Sequence, residues 1–327
     1  MTFFVSMLIA GLTTFLFRLH RTLQRGIKKQ LAEDKAFKAP QLETQHAVER
    51  LTITPLVEFY AEEKALQTEA GVSYLIEADG TKILLDVGAN EKGSHPSPLL
   101  ANAQKMGVDL SELDALFLSH LHRDHVGGVR QEREKTFSPS NGPHPWKELP
   151  VYSPAPLTGT LPIGSSPITV TEPMEIAPGI WSMGPMGRQL FFMGYTQEQI
   201  LAVHVKKKGM VLIVGCGHPG IERIIERCKA LFPHPIFGII GGLHYPITDG
   251  RIMVGPLNVQ KLVGTDRMPW RGLSKADVEE GILAIEKANV QKVGISPHDS
   301  CDWSLKAFKK AFQEGYCPVR VGRPIEF

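Results

Sequence analysis

Hydrophobic residues recur in short runs along most of the chain, and their spacing predicts a mixed α/β fold. The first strands are predicted where the runs are rich in β-branched residues, at 51–54, 72–77 and 83–87. Asp79-Gly80 between the last two runs predicts a tight hairpin. Apolar residues at helical spacing over 99–106 predict a helix that packs against the sheet.

The second half repeats this alternation of strands and helices. The predicted strands are 199–205, 210–214, 237–242 and 293–296, and the predicted helices are 221–231 and 275–288. The stretch 141–167 is rich in Pro, Gly, Ser and Thr, and this composition predicts an irregular loop over the site. Candidate ligands fall at the ends of the predicted strands.

A cluster of metal-ligand side chains follows the short apolar run 114–119. Three histidines and one aspartate fall within six positions: His120, His122, Asp124 and His125. Gly127-Gly128 then allows the backbone to turn tightly. Neutral imidazole and carboxylate are ligands for zinc, with manganese and iron as alternatives, and four such groups can serve two adjacent ions.

The pattern His-x-His-x-Asp-His after a strand resembles the signature of the metallo-β-lactamase superfamily. Within it the chain looks most like the branch named for 7,8-dihydropterin-6-methyl-4-(β-D-ribofuranosyl)aminobenzene 5′-phosphate synthase, from Leu51 to Phe327. Five further blocks carry this resemblance: 69–77, 82–88, 215–221, 241–244 and 296–298. The resemblance implies an αββα sandwich of two mixed β-sheets flanked by helices, with the site along one edge of the sheets.

The same resemblance implies two metal ions, each with its own ligands. One would be held by His120, His122 and His218, and the other by Asp124, His125 and His298. Many superfamily members take the third ligand of the first ion from a Gly-His-Thr-like turn. Here that stretch contains Tyr195, a poor substitute, so we expect His218 instead.

Three further residues are expected near the ions. Cys216 stands where other members have a bridging aspartate, and is either a thiolate ligand or a small buried residue beside the ligands. Asp86 resembles the aspartate that orients the metal loop, although a residue ending a strand is the alternative. His244 is a candidate catalytic residue that could reach the ions, bind a substrate anion or donate a proton, and a structural role is equally open.

The composition is that of an ordinary globular protein. The chain of 327 residues is 43% hydrophobic and 21% charged, with a formal net charge of +2, so a channel for nucleic acid is not expected. The cysteines are widely spaced and form no Cys-x-x-Cys pair. They therefore indicate reduced thiols in the cytoplasm rather than a disulfide framework.

The N-terminus differs in kind from the rest of the chain. Residues 3–17 are uncharged and mostly apolar, and basic residues follow from Arg18 onward. This pattern predicts a membrane anchor at 1–17, a basic juxtamembrane linker at 18–50 and a catalytic domain at 51–327 on the cytoplasmic side. A transmembrane helix is expected. Because the apolar run is short, an interfacial helix and a buried amphipathic helix are the alternatives.

Together these features predict a membrane-anchored, dinuclear metal-dependent hydrolase. A metal-bound hydroxide would attack a small, phosphorylated or pterin-like substrate, with Asp124 and His244 as catalytic residues. Two divalent ions are expected, zinc first. The alternatives are a C–N condensation of the kind in the branch's name, and a non-catalytic, metal-stabilised sensing module.

Overall fold

The computed structural model describes residues 2–39, 41–42, 44–146, 148–255, 257–268 and 271–327, and two facing β-sheets form its centre. The strands of the first sheet are β1 (Leu51–Val57), β2 (Ser73–Ala78), β3 (Thr81–Leu85), β4 (Ala115–Phe117), β5 (Leu149–Ser153), β6 (Ser165–Thr169) and β15 (Ile325–Glu326). Their order is β15-β1-β2-β3-β4-β5-β6. The antiparallel β2–β3 hairpin turns at Asp79-Gly80, where both residues have the positive φ of a two-residue turn.

The second sheet also mixes parallel and antiparallel strands. Its members are β7 (Met174–Ala177), β8 (Ile180–Leu190), β9 (Gly194–Val205), β10 (Gly209–Val214), β11 (Ile236–Gly241) and β14 (Lys292–Ile295). Their order is β14-β11-β10-β9-β8-β7. A separate two-stranded ribbon joins β12 (Met253–Val254) to β13 (Leu257–Asn258).

Helices cover the outer faces of both sheets. They are α1 (Thr2–Ala36), α2 (Pro98–Met106), α3 (Arg123–Val126), α4 (Val129–Glu134), α5 (Ile221–Leu231), α6 (Val259–Val263), α7 (Lys275–Lys287) and α8 (Asp302–Phe312). Helix α7 begins with a capping box. The Ser274 side chain accepts the backbone N–H of Asp277, and the Asp277 side chain accepts the backbone N–H of Ser274.

Alternation along the strands decides which layer each side chain enters. On β3, Ile83 and Leu85 point into the core between the sheets, where they join residues such as Ile213. Leu84 points outward and packs with Leu99 of α2. Helices α5, α7 and α8 bury a further apolar cluster against the second sheet. The predicted αββα sandwich of two mixed sheets is therefore confirmed.

The prediction of an irregular loop over 141–167 is wrong at 149–153 and 165–167, whereas 141–146 and 154–164 are irregular as expected. This stretch contains all of β5 and the beginning of β6, which pair in parallel. Strand β6 lies at the edge of its sheet and is mostly exposed, so its polar residues carry no alternating hydrophobic signal.

The N-terminal segment is one helix, α1, which runs without a break across the boundary predicted at residue 17. Among the described residues, no helix has a stretch both long and apolar enough to cross a bilayer, so the transmembrane helix expected in residues 1–17 is not found. The apolar run ends at Arg18, short of the roughly 20 residues that a spanning helix requires. The second half of α1 packs on β8, with Leu23 buried and Gln30 accepting the Gln189 N–H at 3.3 Å.

Candidate metal centre

The histidine-rich motif occupies the loop between β4 and α3, at the end of a buried strand. Helix α3 is a single turn that begins at Arg123 and ends at Val126, with Gly127 as its C-cap, so Asp124 and His125 lie on it. His120 and His125 are fully buried, and Asp124 is partly exposed. The tight turn therefore brings ligands that are close in sequence to one side of the sheet edge.

The first group of ligand atoms comes from His120, His122 and His218, and these atoms all lie within 4.8 Å of one another. His122 Nδ1 is 3.1 Å from His218 Nε2. His120 Nε2 is buried and has no hydrogen-bond partner among the described residues. A buried, unpartnered nitrogen is costly, and a cation among the three rings would satisfy it.

The second group consists of Asp124, His125, Cys216 and His298. Cys216 Sγ lies 3.1 Å from His125 Nε2 and 3.3 Å from His298 Nε2. Asp124 Oδ2 lies 3.5 Å from His125 Nε2. Ligand atoms of a tetrahedral zinc are separated by about 3.3 to 3.8 Å, given bonds of about 2.0 to 2.3 Å. Asp124 Oδ2 lies 4.0 Å from Cys216 Sγ and 3.9 Å from His298 Nε2. The four side chains are thus close enough together that a small shift of Asp124 would let them surround one ion, and Cys216 Sγ lies among the donor atoms.

The two groups adjoin, since the rings of His120 and His125 have centroids 4.1 Å apart. Burial lowers the pKa of three histidines well below the usual range: His120, His218 and His298. Burial also lowers the pKa of His122 to about 4. These rings are neutral at pH 7 and keep a lone pair for a metal.

Asp86 orients the metal loop through hydrogen bonds to Ser119 and His125. Its Oδ1 accepts the Ser119 N–H at 2.7 Å, and its Oδ2 accepts bonds from Ser119 Oγ and from His125 Nδ1, both at 2.6 Å. Ser119 Oγ also accepts from His120 Nδ1 at 3.0 Å. Both imidazoles thus turn the opposite nitrogen toward the ion site. A β-carbon at Gly215 would overlap Ser119 Oγ, which explains the glycine there.

A second carboxylate, which no local sequence pattern predicts, supports His298. Glu58 is fully buried and accepts bonds from Tyr74 Oη at 2.7 Å and from Ser296 Oγ. Ser296 Oγ in turn accepts from His298 Nδ1 at 2.5 Å. Burial raises the pKa of Glu58 to about 7, although these hydrogen bonds oppose that shift. The relay fixes His298 with Nε2 facing the ion site.

A third buried carboxylate, Glu198 of β9, holds the turn that carries two of the donors. Its oxygens accept the backbone N–H groups of Cys216, Gly217 and His218 at 3.0, 2.9 and 2.8 Å. Burial raises the pKa of Glu198 to about 7, against the lowering effect of these bonds. The turn is therefore anchored to the sheet by one side chain.

Tyr195 lies outside both groups of donors. Its hydroxyl bonds to Glu33 of α1, and Lys29 Nζ stands 3.9 Å from the ring centroid. The neighbouring Thr196 does reach the site, because its Oγ1 lies 3.0 Å from His122 Nε2. This stretch therefore contributes a hydroxyl that orients a ligand, instead of a ligand itself.

His244 stands next to the first group, with its ring centroid 5.2 Å from that of His218. Its backbone N–H donates to Asp299 Oδ2 at 2.8 Å, and it holds a left-handed φ of 54°. Nε2 lies 3.3 Å from the Gln260 carbonyl, and the buried Nδ1 has no partner in the described part of the chain. Burial lowers the pKa of this histidine to about 4.

Known proteins share both the sequence pattern and the fold. A curated relative, the 7,8-dihydropterin-6-methyl-4-(beta-D-ribofuranosyl)-aminobenzene-5'-phosphate synthase of Methanocaldococcus jannaschii, is 24% identical over 68% of this chain and 86% of the relative. A shorter match of 81 residues, 35% identical, links 25% of the chain to 24% of the hydroxyacylglutathione hydrolase of Xanthomonas axonopodis pv. citri.

Among solved structures, Tm1679, described as a metal-dependent hydrolase of the β-lactamase superfamily, has a similar fold. The TM-score is 0.58 at 19% identity, and the match covers 85% of this chain and 99% of that one. The sequence model of the metallo-beta-lactamase superfamily matches residues 67–187, which include the complete histidine motif. Residues 67–187 of the chain therefore form a region of the metallo-β-lactamase superfamily.

Proposed function

We propose that the protein is a dinuclear metal-dependent hydrolase that acts on a small, phosphorylated or pterin-like substrate. The observation that carries this proposal is the pair of adjoining donor groups, one of three imidazoles and one of four mixed donors. Two divalent ions in such a site activate water and polarise the bond that is attacked. The solved metal-dependent hydrolase of similar fold and the short match to a hydroxyacylglutathione hydrolase support hydrolysis.

Zinc is the ion that this donor set favours. The second group joins a thiol, Cys216, to two imidazoles and a carboxylate. Thiolate and imidazole together suit zinc better than manganese or magnesium, which prefer oxygen ligands. Burial raises the pKa of the Cys216 thiol well above its usual value, and a bound cation would offset this by stabilising the thiolate.

We assign His244 the task of accepting a hydrogen bond or a proton from the reacting group. The Gln260 carbonyl beside Nε2 favours the tautomer that carries its proton there, and Nδ1 then keeps a free lone pair. Donation from a resting, protonated ring is disfavoured because burial lowers the pKa to about 4. Asp124, in the second donor group, would hold an ion and so help to position the attacked bond.

The test is a turnover screen on the full chain reconstituted with zinc. Elemental analysis should give about two ions per chain, and one of four substrate classes should be hydrolysed: phosphodiesters, phosphomonoesters, lactones or thioesters. Asp124→Asn should lower kcat by about 100-fold or more. The matched control is Glu63→Gln, an exposed carboxylate that does not line the clefts at the donor groups, and it should keep activity.

Two results would contradict the hydrolase proposal. An Asp124→Asn protein with both ions and full activity would remove Asp124 from the reaction. A zinc-loaded chain that is inactive on all four classes but binds a small molecule tightly would favour the sensing module.

A synthase-type C–N condensation is the second candidate function. It is favoured by the match to the Methanocaldococcus synthase, which extends over 86% of that relative. Mass spectrometry of a reaction with a dihydropterin and an aminobenzene ribosyl phosphate donor would detect the condensed product. Condensation without hydrolysis in the screen would replace the first candidate by this one.

We also propose that the N-terminal segment attaches the protein to a membrane surface, with the catalytic domain in the cytoplasm. The apolar sequence at 3–17 supports this, together with exposed basic side chains after it: Arg18, Arg21, Arg25, Lys28 and Lys29. An interfacial helix requires an apolar segment and cations for anionic headgroups, and it does not require a spanning length.

A further inference from the structure

Two cavities of different size reach the donor groups. The larger, here called the Arg123 cavity, has a volume of about 710 Å³ and reaches Asp124. The smaller, the His244 cavity, has a volume of about 130 Å³ and reaches His218 and His244. A substrate held at the ions would therefore extend into one or both of them.

The charges that line the two cavities are opposite in balance. The Arg123 cavity has three arginines (Arg123, Arg130, Arg251) and two carboxylates (Glu91, Asp124), and Asp124 is a metal ligand in our assignment. The His244 cavity has two arginines (Arg188, Arg267) and four carboxylates (Glu222, Asp266, Asp277, Glu280). An anionic part of a substrate is therefore favoured in the Arg123 cavity.

Both arginines of the His244 cavity are already occupied. Arg188 pairs with Asp266 at 2.9 Å, and Arg267 pairs with Asp277. Each guanidinium has its carboxylate partner in the cavity wall itself. Neither is available to an anion without breaking an existing ion pair.

In the Arg123 cavity the other two arginines have partners as well. Arg130 pairs through Nε with Glu134 at 3.1 Å on α4, and its side chain is 75% exposed. Arg251 donates to the carbonyl oxygens of Pro297 and Ser300 and to Asp302, at 2.7, 2.8 and 2.8 Å. Its side chain is only 5% exposed.

Arg123 differs from all of these. Among the described residues its guanidinium has no ion pair and no side-chain hydrogen bond, although the side chain is partly buried. It is located in the chain between His122 and Asp124, each of which belongs to one of the donor groups. Its five N–H donors are therefore available in a cavity that Asp124 also lines and that is large enough for a small molecule.

We propose that Arg123 binds a phosphate group of the substrate in this cavity, so that the substrate lies with its phosphorylated end toward Arg123 and its other end toward His244. This inference rests on the proposed function, because it names the substrate class of the same site. A guanidinium fork matches two phosphate oxygens at once, and the bond is stronger in a partly desolvated cavity.

The experiment measures inorganic phosphate binding to the zinc-loaded full chain by calorimetry at constant ionic strength. Arg123→Gln should weaken phosphate binding about tenfold or more, the loss expected for a charged hydrogen-bonded pair. Arg123→Lys keeps the charge without the fork, and its affinity should fall between the two. Arg130→Gln is the matched control, an arginine in the same cavity that already has a partner, and it should bind as the wild type does.

Zinc content is measured for every variant, and Arg123→Lys decides the question if Arg123→Gln loses metal. Equal phosphate affinity in the wild type, Arg123→Lys and Arg123→Gln would overturn the proposal. An equal loss in Arg130→Gln would do so too, because it would reveal a general charge effect. Acetate is the comparison ligand, and binding as tight as that of phosphate would overturn the phosphate assignment.

This outcome is separable from the test of hydrolysis. If phosphate binding depends on Arg123 but the chain hydrolyses none of the four substrate classes, the phosphate site is supported and the hydrolase proposal is rejected. Turnover of a phosphorylated substrate with an unchanged KM in Arg123→Gln would keep the hydrolase and reject the site.

Discussion

At the scale of single residues, the choice of third ligand for the first ion can be tested directly. His218→Ala should lower the affinity for one of two zinc ions by about 100-fold or more, because it removes one of three imidazoles from the group. Tyr195→Phe should leave both ions bound, since its hydroxyl bonds to Glu33 instead. Competition with a chromogenic chelator measures both. Metal loss in Tyr195→Phe with none in His218→Ala would reverse the assignment.

Glu58 carries a second prediction at this scale, because it acts on the metal through Ser296 and His298. Glu58→Gln should weaken binding at the second ion site about tenfold to 100-fold, since the ring loses the partner that fixes its orientation. The d–d spectrum of the cobalt-substituted protein should change with it. Ser296→Ala should produce a similar loss, and the double variant should add little, because both act in one relay.

A different buried glutamate provides the control for Glu58. Glu69 accepts the backbone N–H groups of Ala89, Asn90 and Glu91, and it does not touch a donor side chain. Glu69→Gln should lower stability without changing cobalt affinity or spectrum. A Glu58→Gln protein that behaves in the same way would reduce Glu58 to a purely structural role.

Sequence reasoning found the donors at this scale and missed what supports them. His120, His122, Asp124 and His125 were predictable because they are adjacent in the chain and their spacing is rare without a metal. Glu58 and Glu198 were not, because each stands apart from the candidate ligands in sequence: Glu58 follows an apolar run, and Glu198 lies between two glutamines. Their partners come from distant strands, so only the packed fold reveals why a carboxylate is buried there.

At the scale of elements, the turn 215–218 is sensitive to substitution of a single residue, Glu198. Glu198→Ala would leave three buried N–H groups without an acceptor on the turn that carries Cys216 and His218. Each lost bond costs about 1 to 3 kcal/mol, so both zinc affinity and the free energy of unfolding should fall. Chelator competition and urea denaturation measure these two effects.

Glu198→Gln is the informative companion variant, because the amide keeps one acceptor oxygen. It should retain part of the stability and bind zinc more tightly than Glu198→Ala does. Unchanged zinc affinity in both variants would mean that the turn holds its shape without Glu198.

Strands with an alternating or continuous apolar pattern were predictable at this scale, and an exposed edge strand was not. The hairpin at Asp79-Gly80 has a local signature, and the structure has it as expected. The side chains of strand β6 are as exposed as those of a surface loop. It is a strand because its backbone pairs with β5. Pairing of this kind depends on residues far away in sequence, so local periodicity carries little information about it.

At the scale of the whole molecule, the sandwich assembles the site from separate segments. The donors come from the β4–α3 loop, the turn after β10 and the turn after β14. β10 and β14 are both neighbours of β11 in the second sheet, whereas β4 belongs to the first. Closing the two sheets on one core is therefore what unites the donor groups, and metal binding should stabilise the whole fold by linkage.

The N-terminal helix joins two roles in one element, and deletions separate them. A chain that begins at Phe17 keeps the part of α1 that packs on β8 and should unfold at the same urea concentration as the full chain. A chain that begins at Gln41 lacks buried Leu23 and the Asp34–Arg223 ion pair, and it should lose about 2 kcal/mol or more of stability.

Membrane attachment should follow the opposite order, because it depends on the residues that the shorter deletion removes. The full chain should sediment with vesicles that contain phosphatidylserine, and less so with rising salt, since the apolar segment and the following cations act together. The chain from Phe17 should lose most of this binding while it keeps its zinc, because the basic residues alone contribute only about 1 kcal/mol each near the surface. Equal sedimentation of the two chains would place the membrane contact elsewhere, and no sedimentation of the full chain would reject the attachment.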